Sequence, residues 1–217
     1  TGAPSSPGDL GKAHNIPGGY GALIDSNNVL WSVDRNSGIW RYDINAANPA
    51  TFTAAPGAYG IGINPCNGNI WLSSNGGGNL LRRFDPAGTQ ILPVTGWTQP
   101  AGAQGLCVDQ NGTGWVAGYS HVWRVDQNGT FTPIGPFGWV TGTAVDYQGN
   151  IWSSDRNGNR ARRIDPNTNA IDLNTSMGPG SGPYNYSDMT GFVAVGNPPQ
   201  GTLTAIHDSL CDDTDWG

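Results

Sequence analysis

Four arginines in this 217-residue chain each stand two residues ahead of an aspartate: Arg41 before Asp43, Arg83 before Asp85, Arg124 before Asp126 and Arg163 before Asp165. A ring of guanidinium groups could clamp a carboxylate or a sugar acid, because each offers a planar fork of N–H donors. Repetition in every copy of a pattern argues for a plainer role. The stem packs between neighbouring units while the head pairs with a nearby Asp or a turn carbonyl. A binding site draws different residues from different copies, so these four are expected to be structural.

Metal chemistry is suggested by Asp34-Arg-Asn-Ser-Gly, Asp155-Arg-Asn-Gly-Asn, Asp109-Gln-Asn-Gly and the terminal Asp212, Asp213 and Asp215. Ca²⁺ takes several oxygen ligands, and Asp with Asn and backbone carbonyls could supply them. The sequence contains no Glu, so no EF-hand loop is complete. Turn formation is the default for these segments, and structural Ca²⁺ at Asp212, Asp213 and Asp215 is the one cofactor to consider. The histidines are His14, His121 and His207, in an arm, a hairpin turn and a divergent tail. No Gly-x-Ser-x-Gly elbow is present; Cys107 sits in an apolar strand as a small core residue, and nothing basic adjoins Cys66. No catalytic residues are expected. With Cys211 the cysteines number three, which allows one internal disulfide.

Aromatic residues outside the repeated positions are the remaining candidates. Trp97, Tyr119, Phe137 and Trp139 fall in connections beside Asn, Asp and Gln, where ring faces suit a sugar or a protein contact. Core packing accounts equally well for Trp40 and Trp123.

The elements that must position these side chains recur. Gly142 to Asp165 reads GTAVDYQGNIWSSDRNGNRARRID, and the same order of short apolar run, turn headed by Asp or Asn, Trp-containing strand, polar turn and Arg-containing run occurs four times. The repeated tryptophans are Trp31, Trp71, Trp115 and Trp152. Opening glycine to Trp is 10 residues in copies one, three and four and 11 in copy two, whereas Trp to Trp varies over 40, 44 and 37. A rigid unit joined by variable loops behaves this way. Asp accepts hydrogen bonds within its own turn and Gly tolerates positive φ at the turn's end, so Asp146-Tyr-Gln-Gly149, Asp109-Gln-Asn-Gly112, Asp126-Gln-Asn-Gly129 and Asp85-Pro-Ala-Gly88 read as hairpin turns.

Short strands, hairpins and a period near 40 predict an all-β chain, a β-propeller of about four to five four-stranded blades, incomplete or closed by its terminal segments. Blades are expected near 19–55, 58–95, 103–135 and 140–175, with a partial one at 186–196, an extended arm at 1–18 and a divergent strand-like segment at 197–217. The repeat G-x-x-V-D-x-x-G-N-I-W-x-S followed by R-I-D resembles the streptogramin lyase-like and NHL-type propellers over residues 19 to 196. That resemblance implies a metal-dependent lyase using His and Glu, but no lyase residue carries over, because Glu is absent and no His pair occupies matching repeat positions.

Net charge is −6 and Lys12 is the only lysine, which argues against nucleic acid as partner, and no apolar run is long enough to span a membrane. Residues 1 to 20 have neither the basic start nor the apolar middle of a signal peptide. Low charge with abundant Asn, Gly and Thr suits an extracellular or cell-surface protein. The expected function is a non-catalytic module for binding or self-assembly, of adhesin or fibre-forming type, with copies of itself, a larger parent chain or glycans as partners. The alternatives are a lyase-like enzyme and a carbohydrate-binding propeller.

Overall fold

The computed structural model describes residues 19–185, apart from 44, 77–79, 92 and 94–95. The arm at 1–18, the partial blade at 186–196 and the segment 197–217 lie outside the described residues, and with them Asp212, Asp213, Asp215, Cys211, His14 and His207. Among the described residues every regular element is a strand, and no helix is long and apolar enough to cross a membrane.

Sixteen strands form four four-stranded sheets, each a simple antiparallel meander. Blade I holds β1 (Ala22–Ile24), β2 (Leu30–Asp34), β3 (Gly38–Tyr42) and β4 (Ala50–Ala54). Blade II holds β5 (Ala58–Ile63), β6 (Ile70–Ser74), β7 (Leu80–Phe84) and β8 (Trp97–Thr98). Blade III holds β9 (Ala103–Val108), β10 (Gly114–Gly118), β11 (His121–Val125) and β12 (Phe131–Ile134), and blade IV holds β13 (Val140–Val145), β14 (Ile151–Asp155), β15 (Arg160–Ile164) and β16 (Ile171–Ser176). The inner strands β5, β9 and β13 lie side by side in that order, and the sheets do not close into a ring.

Two sequence expectations need correction here. The second blade extends beyond residue 95, because its outer strand is Trp97–Thr98 paired with Leu81 and Leu80, while Gln90 makes only an isolated bridge to Phe84. Pro93 has no N–H to offer a ladder, and the Trp97 ring gains an edge contact with Trp71, centroids 5.6 Å apart. His121 is not in a turn but begins β11.

The repeated Asp does more than head a turn. In blades I, III and IV its Oδ1 accepts two turn amides, those of Asn27 and Val29 for Asp25, Asn111 and Thr113 for Asp109, and Gln148 and Asn150 for Asp146. Its Oδ2 accepts the indole N–H of the repeated tryptophan: Trp31 to Asp25 at 3.0 Å, Trp115 to Asp109 at 2.8 Å and Trp152 to Asp146 at 2.8 Å. One carboxylate thus fixes both the hairpin and the orientation of the largest core side chain. Blade II carries Asn64 at this place; its Oδ1 accepts the Cys66 amide, and Trp71 Nε1 has no partner among the described residues.

Each repeated arginine faces its blade's tryptophan across the ladder, in the pairs Trp31 with Arg41, Trp71 with Arg83, Trp115 with Arg124 and Trp152 with Arg163. Arg41 donates to Pro86 O in the next blade and to Asp43, and Arg163 makes a two-pronged pair with Asp172. Arg83 stacks 3.9 Å from the Trp97 ring centre, and burial pushes its guanidinium down to about 10. Successive blades fit because glycine comes up against the preceding aromatic: Gly114 leaves no room for a side chain beside Trp71, nor does Gly129 beside Trp97. Trp31, Trp71 and Trp115 are buried, each removing roughly 150–250 Å² from water. Trp152 is only partly buried, on the side of blade IV that no other described blade covers.

Candidate functional site

In a four-stranded meander the start of the inner strand and the turn from second to third strand reach the same end of the blade. Here these ends are tied together by the main chain. Asn36 in the β2–β3 turn donates to Ala58 O and accepts from the Gly57 amide; Tyr119 O in the β10–β11 turn accepts from Val140; Arg156 after β14 donates to Trp139 O. These bonds join blade I to blade II and blade III to blade IV at this end.

Side chains at this end form a continuous arc. The Arg35 guanidinium carbon lies 4.9 Å from the Tyr20 ring centre and 5.5 Å from that of Tyr59, and the two tyrosine rings meet edge on, 4.8 Å apart. The buried Tyr59 hydroxyl shares hydrogen bonds with both Tyr20 and Tyr184. Arg156 lies over Tyr184 at 5.5 Å and over Trp139 at 4.5 Å, and Trp139 adjoins Tyr119, centroids 6.4 Å apart. The arrangement around Arg35 is repeated around Arg156. Both arginines come from an Asp-Arg-Asn turn, and each stacks on an aromatic preceding its own inner strand and on a second tyrosine from further along the chain.

Burial pushes the Tyr59 phenol up, and its hydrogen bonds to Tyr20 and Tyr184 add to that shift, so it remains neutral and able both to donate and to accept. Among the described residues neither Arg35 nor Arg156 has a carboxylate partner; the ion pairs go to Arg41, Arg162 and Arg163. Asp155 anchors the far end of the arc. Its Oδ1 accepts the amides of Gly138, Trp139 and Gly158, and its Oδ2 pairs with Arg162 at 2.7 Å. That carboxylate is fully engaged, as is Asp109 by its turn and Trp115, so neither stands free as a Ca²⁺ ligand.

Tyr119 is the most exposed of the aromatics singled out in the sequence, at 52%. With Ser120 it makes a two-residue hairpin loop in which Tyr119 takes φ 41°, a place where Asn or Gly is favoured. A bulky residue held there costs about 1 kcal/mol or more. Trp139 is half-buried beside it. The two other aromatics are placed differently: Trp97 lies in the outer strand of blade II between Trp71, Arg83 and the turn at Gly129, and Phe137 is buried in blade IV with Arg162 4.6 Å from its ring centre. The GPFGWVTG connection therefore splits in function, Phe137 packing inward and Trp139 joining the arc.

Arg35, Arg156, Tyr20, Tyr59 and Tyr184 are not distinguished by sequence reasoning. A signal was present in the Asp-Arg-Asn turns of copies one and four, which read more readily as turns or metal segments. Among the described residues no group of three or more His, Cys, Asp or Glu is placed to hold a metal ion. Ser120 Oγ and His121 Nδ1 lie 2.9 Å apart, adjacent in the chain. Cys107 is a buried free thiol pushed up to about 12 by desolvation, and Cys66 is disulfide-bonded.

No family model matches the sequence, and no curated protein is detectably similar. Among solved structures the chain is similar to a catalytically inactive virginiamycin B lyase from Staphylococcus aureus with quinupristin, with TM-score 0.65 and 17% identity over 79% of this chain and 60% of that one. It has a β-propeller fold. This propeller is also similar to a protein of unknown function from Bacteroides caccae, with TM-score 0.56 and 14% identity over 72% of this chain and 60% of that one. An auxiliary nutrient binding protein from Bacteroides thetaiotaomicron matches with TM-score 0.57 and 14% identity, over 74% of this chain and 42% of that one. The chain thus spans less than two thirds of each of these structures. At such identities the likeness concerns the fold alone.

Proposed function

We propose that this propeller is a non-catalytic, extracellular binding module whose ligand lies on the arc from Arg35 to Tyr119. The observation that carries the reading is that five of its seven side chains come from different turns and inner strands of four blades, with Tyr20 and Tyr184 added from the flanking chain. Unlike the repeated Arg and Trp, these side chains are not common to all four copies. Tyr119 adds weight, since an exposed aromatic in a strained turn is retained at a cost to stability. A disulfide at Cys66 supports the extracellular setting, because such bonds persist in oxidising compartments. The lyase reading has less behind it: His121 is the one histidine among the described residues, and the chain has no Glu.

A glycan array probed with the wild-type chain and with a Tyr119→Asn, Trp139→Ala double variant tests this. Binding that disappears in the double variant while the melting temperature stays within a few degrees is the expected result. Binding unchanged by both substitutions would place the site elsewhere.

Self-assembly is the second reading, and it rests on the uncovered blade faces. Trp152 and Leu173 lie on one, and the Trp40–Phe52 pair, 4.9 Å apart, lies on the other. Light scattering of the wild-type chain and of Trp152→Glu distinguishes an assembling subunit, which the charge would dissociate, from a monomer that it leaves unchanged.

A further inference from the structure

We infer that the ligand taken by this face is an acidic polysaccharide, a polyuronate segment whose carboxylates are received by Arg35 and Arg156. The inference rests on the binding-face reading above and specifies its chemistry. Each of the two guanidinium groups is stacked on two aromatic rings, Arg35 on Tyr20 and Tyr59, and Arg156 on Trp139 and Tyr184. Contact with two rings restricts each side chain, so less of its conformational entropy remains to be lost on binding. Neither group meets a carboxylate among the described residues, although the chain as a whole carries an excess of Asp and a net charge of −6. Two restrained cations without counter-charges among the described residues of an acidic protein favour an anionic ligand.

What lies between them favours a sugar over an acidic peptide. The Tyr59–Tyr184 hydrogen bond links the two arginine contacts, and the buried Tyr59 phenol holds the exposed Tyr184 between them. A phenol that both donates and accepts matches sugar hydroxyls, which do the same. At the far end, the exposed ring of Tyr119 beside Trp139 and that of Tyr184, 42% exposed, offer apolar faces for the C–H side of a pyranose. A planar fork receives a carboxylate through two parallel N–H···O bonds, so carboxylates along one polyuronate chain would be received at the two arginines, with sugar hydroxyls at Tyr184 between them.

Isothermal titration of the full chain with oligogalacturonate, carboxyl-reduced oligogalacturonate and a Glu-rich peptide tests the inference. Oligogalacturonate should bind, more weakly as salt rises, and carboxyl reduction should abolish binding. Arg35→Gln and Arg156→Gln should each weaken it about tenfold or more, the range for a charged hydrogen bond. Arg41→Gln, whose partners are Asp43 and Pro86 O, should leave affinity unchanged. If a glutamine variant melts early, the lysine variant replaces it: charge is kept, the fork is lost, and affinity should still fall. Equal binding of the carboxyl-reduced glycan, abolished by Tyr119→Asn with Trp139→Ala, would overturn the anionic inference and leave the binding face intact. Equal or tighter binding of the peptide would overturn the sugar assignment, and oligogalacturonate binding insensitive to both arginines would overturn the inference altogether. No binding of any glycan sensitive to the arc would overturn both readings.

Discussion

Blades III and IV contain the same device in two environments. In each, an Asp at the end of the inner strand accepts two turn amides and the indole N–H of the repeated Trp, at the same 2.8 Å. Blade III is covered by blade IV, and Trp115 is 0% exposed; no described residue covers the far side of blade IV, and Trp152 is only partly buried. Burial lifts the Asp109 carboxyl above its ordinary range despite the hydrogen bonds from Trp115, Asn111 and Thr113. At Asp146 burial again acts upwards, but it is outweighed by hydrogen bonds from Trp152, Asn150 and Gln148, and the carboxyl is held low. The local hydrogen bonds are thus set by the repeat, whereas the energetics are set by the neighbour.

The contrast can be broken most directly at the tryptophans. Trp115→Ala should cost roughly 3–5 kcal/mol in urea unfolding, the range for a buried large aromatic, and Trp152→Ala less than half as much. Equal losses would show that blade IV is covered in solution. Next in size is the fit between blades. Gly114→Val forces a side chain into the Trp71 ring and should cost about 1–3 kcal/mol by overpacking. An unchanged unfolding midpoint would mean that blades II and III are looser than their contacts indicate.

The carboxyls give a comparison with opposite signs. Asp146, held low, contributes stability that is present above the unfolded value of ~3.9 and lost as pH falls through its lower folded value. Asp109, held high, favours the folded state while protonated, and that contribution is lost as pH rises through its raised folded value. Carbon-13 titration of the two side chains should place Asp109 above and Asp146 below the ordinary carboxylate value. Coincident titration would remove the distinction between covered and uncovered copies. The smallest effect is expected in blade II, where Asn64→Asp supplies an acceptor for Trp71 Nε1 and should shift stability by no more than about 1 kcal/mol. A shift in the Trp71 indole N–H resonance without loss of stability would show the bond forming; no shift would show that the extra residue in this hairpin keeps the carboxylate out of reach.

Much of the fold was legible because it depends on patterns within one copy. The Gly-to-Trp spacing, the Asp-headed turns and the Ile-Trp strands each read as a hairpin component, and the four sheets match that reading. The outer strand of blade II was misplaced because Pro93 interrupts the apolar run and two residues, Trp97 and Thr98, suffice for pairing once Trp97 finds Trp71 and Arg83. The site was far less legible. Tyr119 and Trp139 stood out as aromatics in connections, but Trp97 and Phe137 looked the same in sequence and prove to be packed between blades or in the core. Tyr20, Tyr59 and Tyr184 look unremarkable one at a time, since their proximity comes from a chain that returns to the same face after each blade.

The sequence by itself determined the strand order, the turns and the residues repeated for packing, because hydrogen bonding within a hairpin and alternation along a strand are local. The tertiary structure decided which aromatics are buried, which direction the Asp109 and Asp146 carboxyls shift, and that Arg35 and Arg156 share a face with no carboxylate partner among the described residues. Those properties depend on what the neighbouring blade covers, and burial and electrostatics are set by residues distant in sequence.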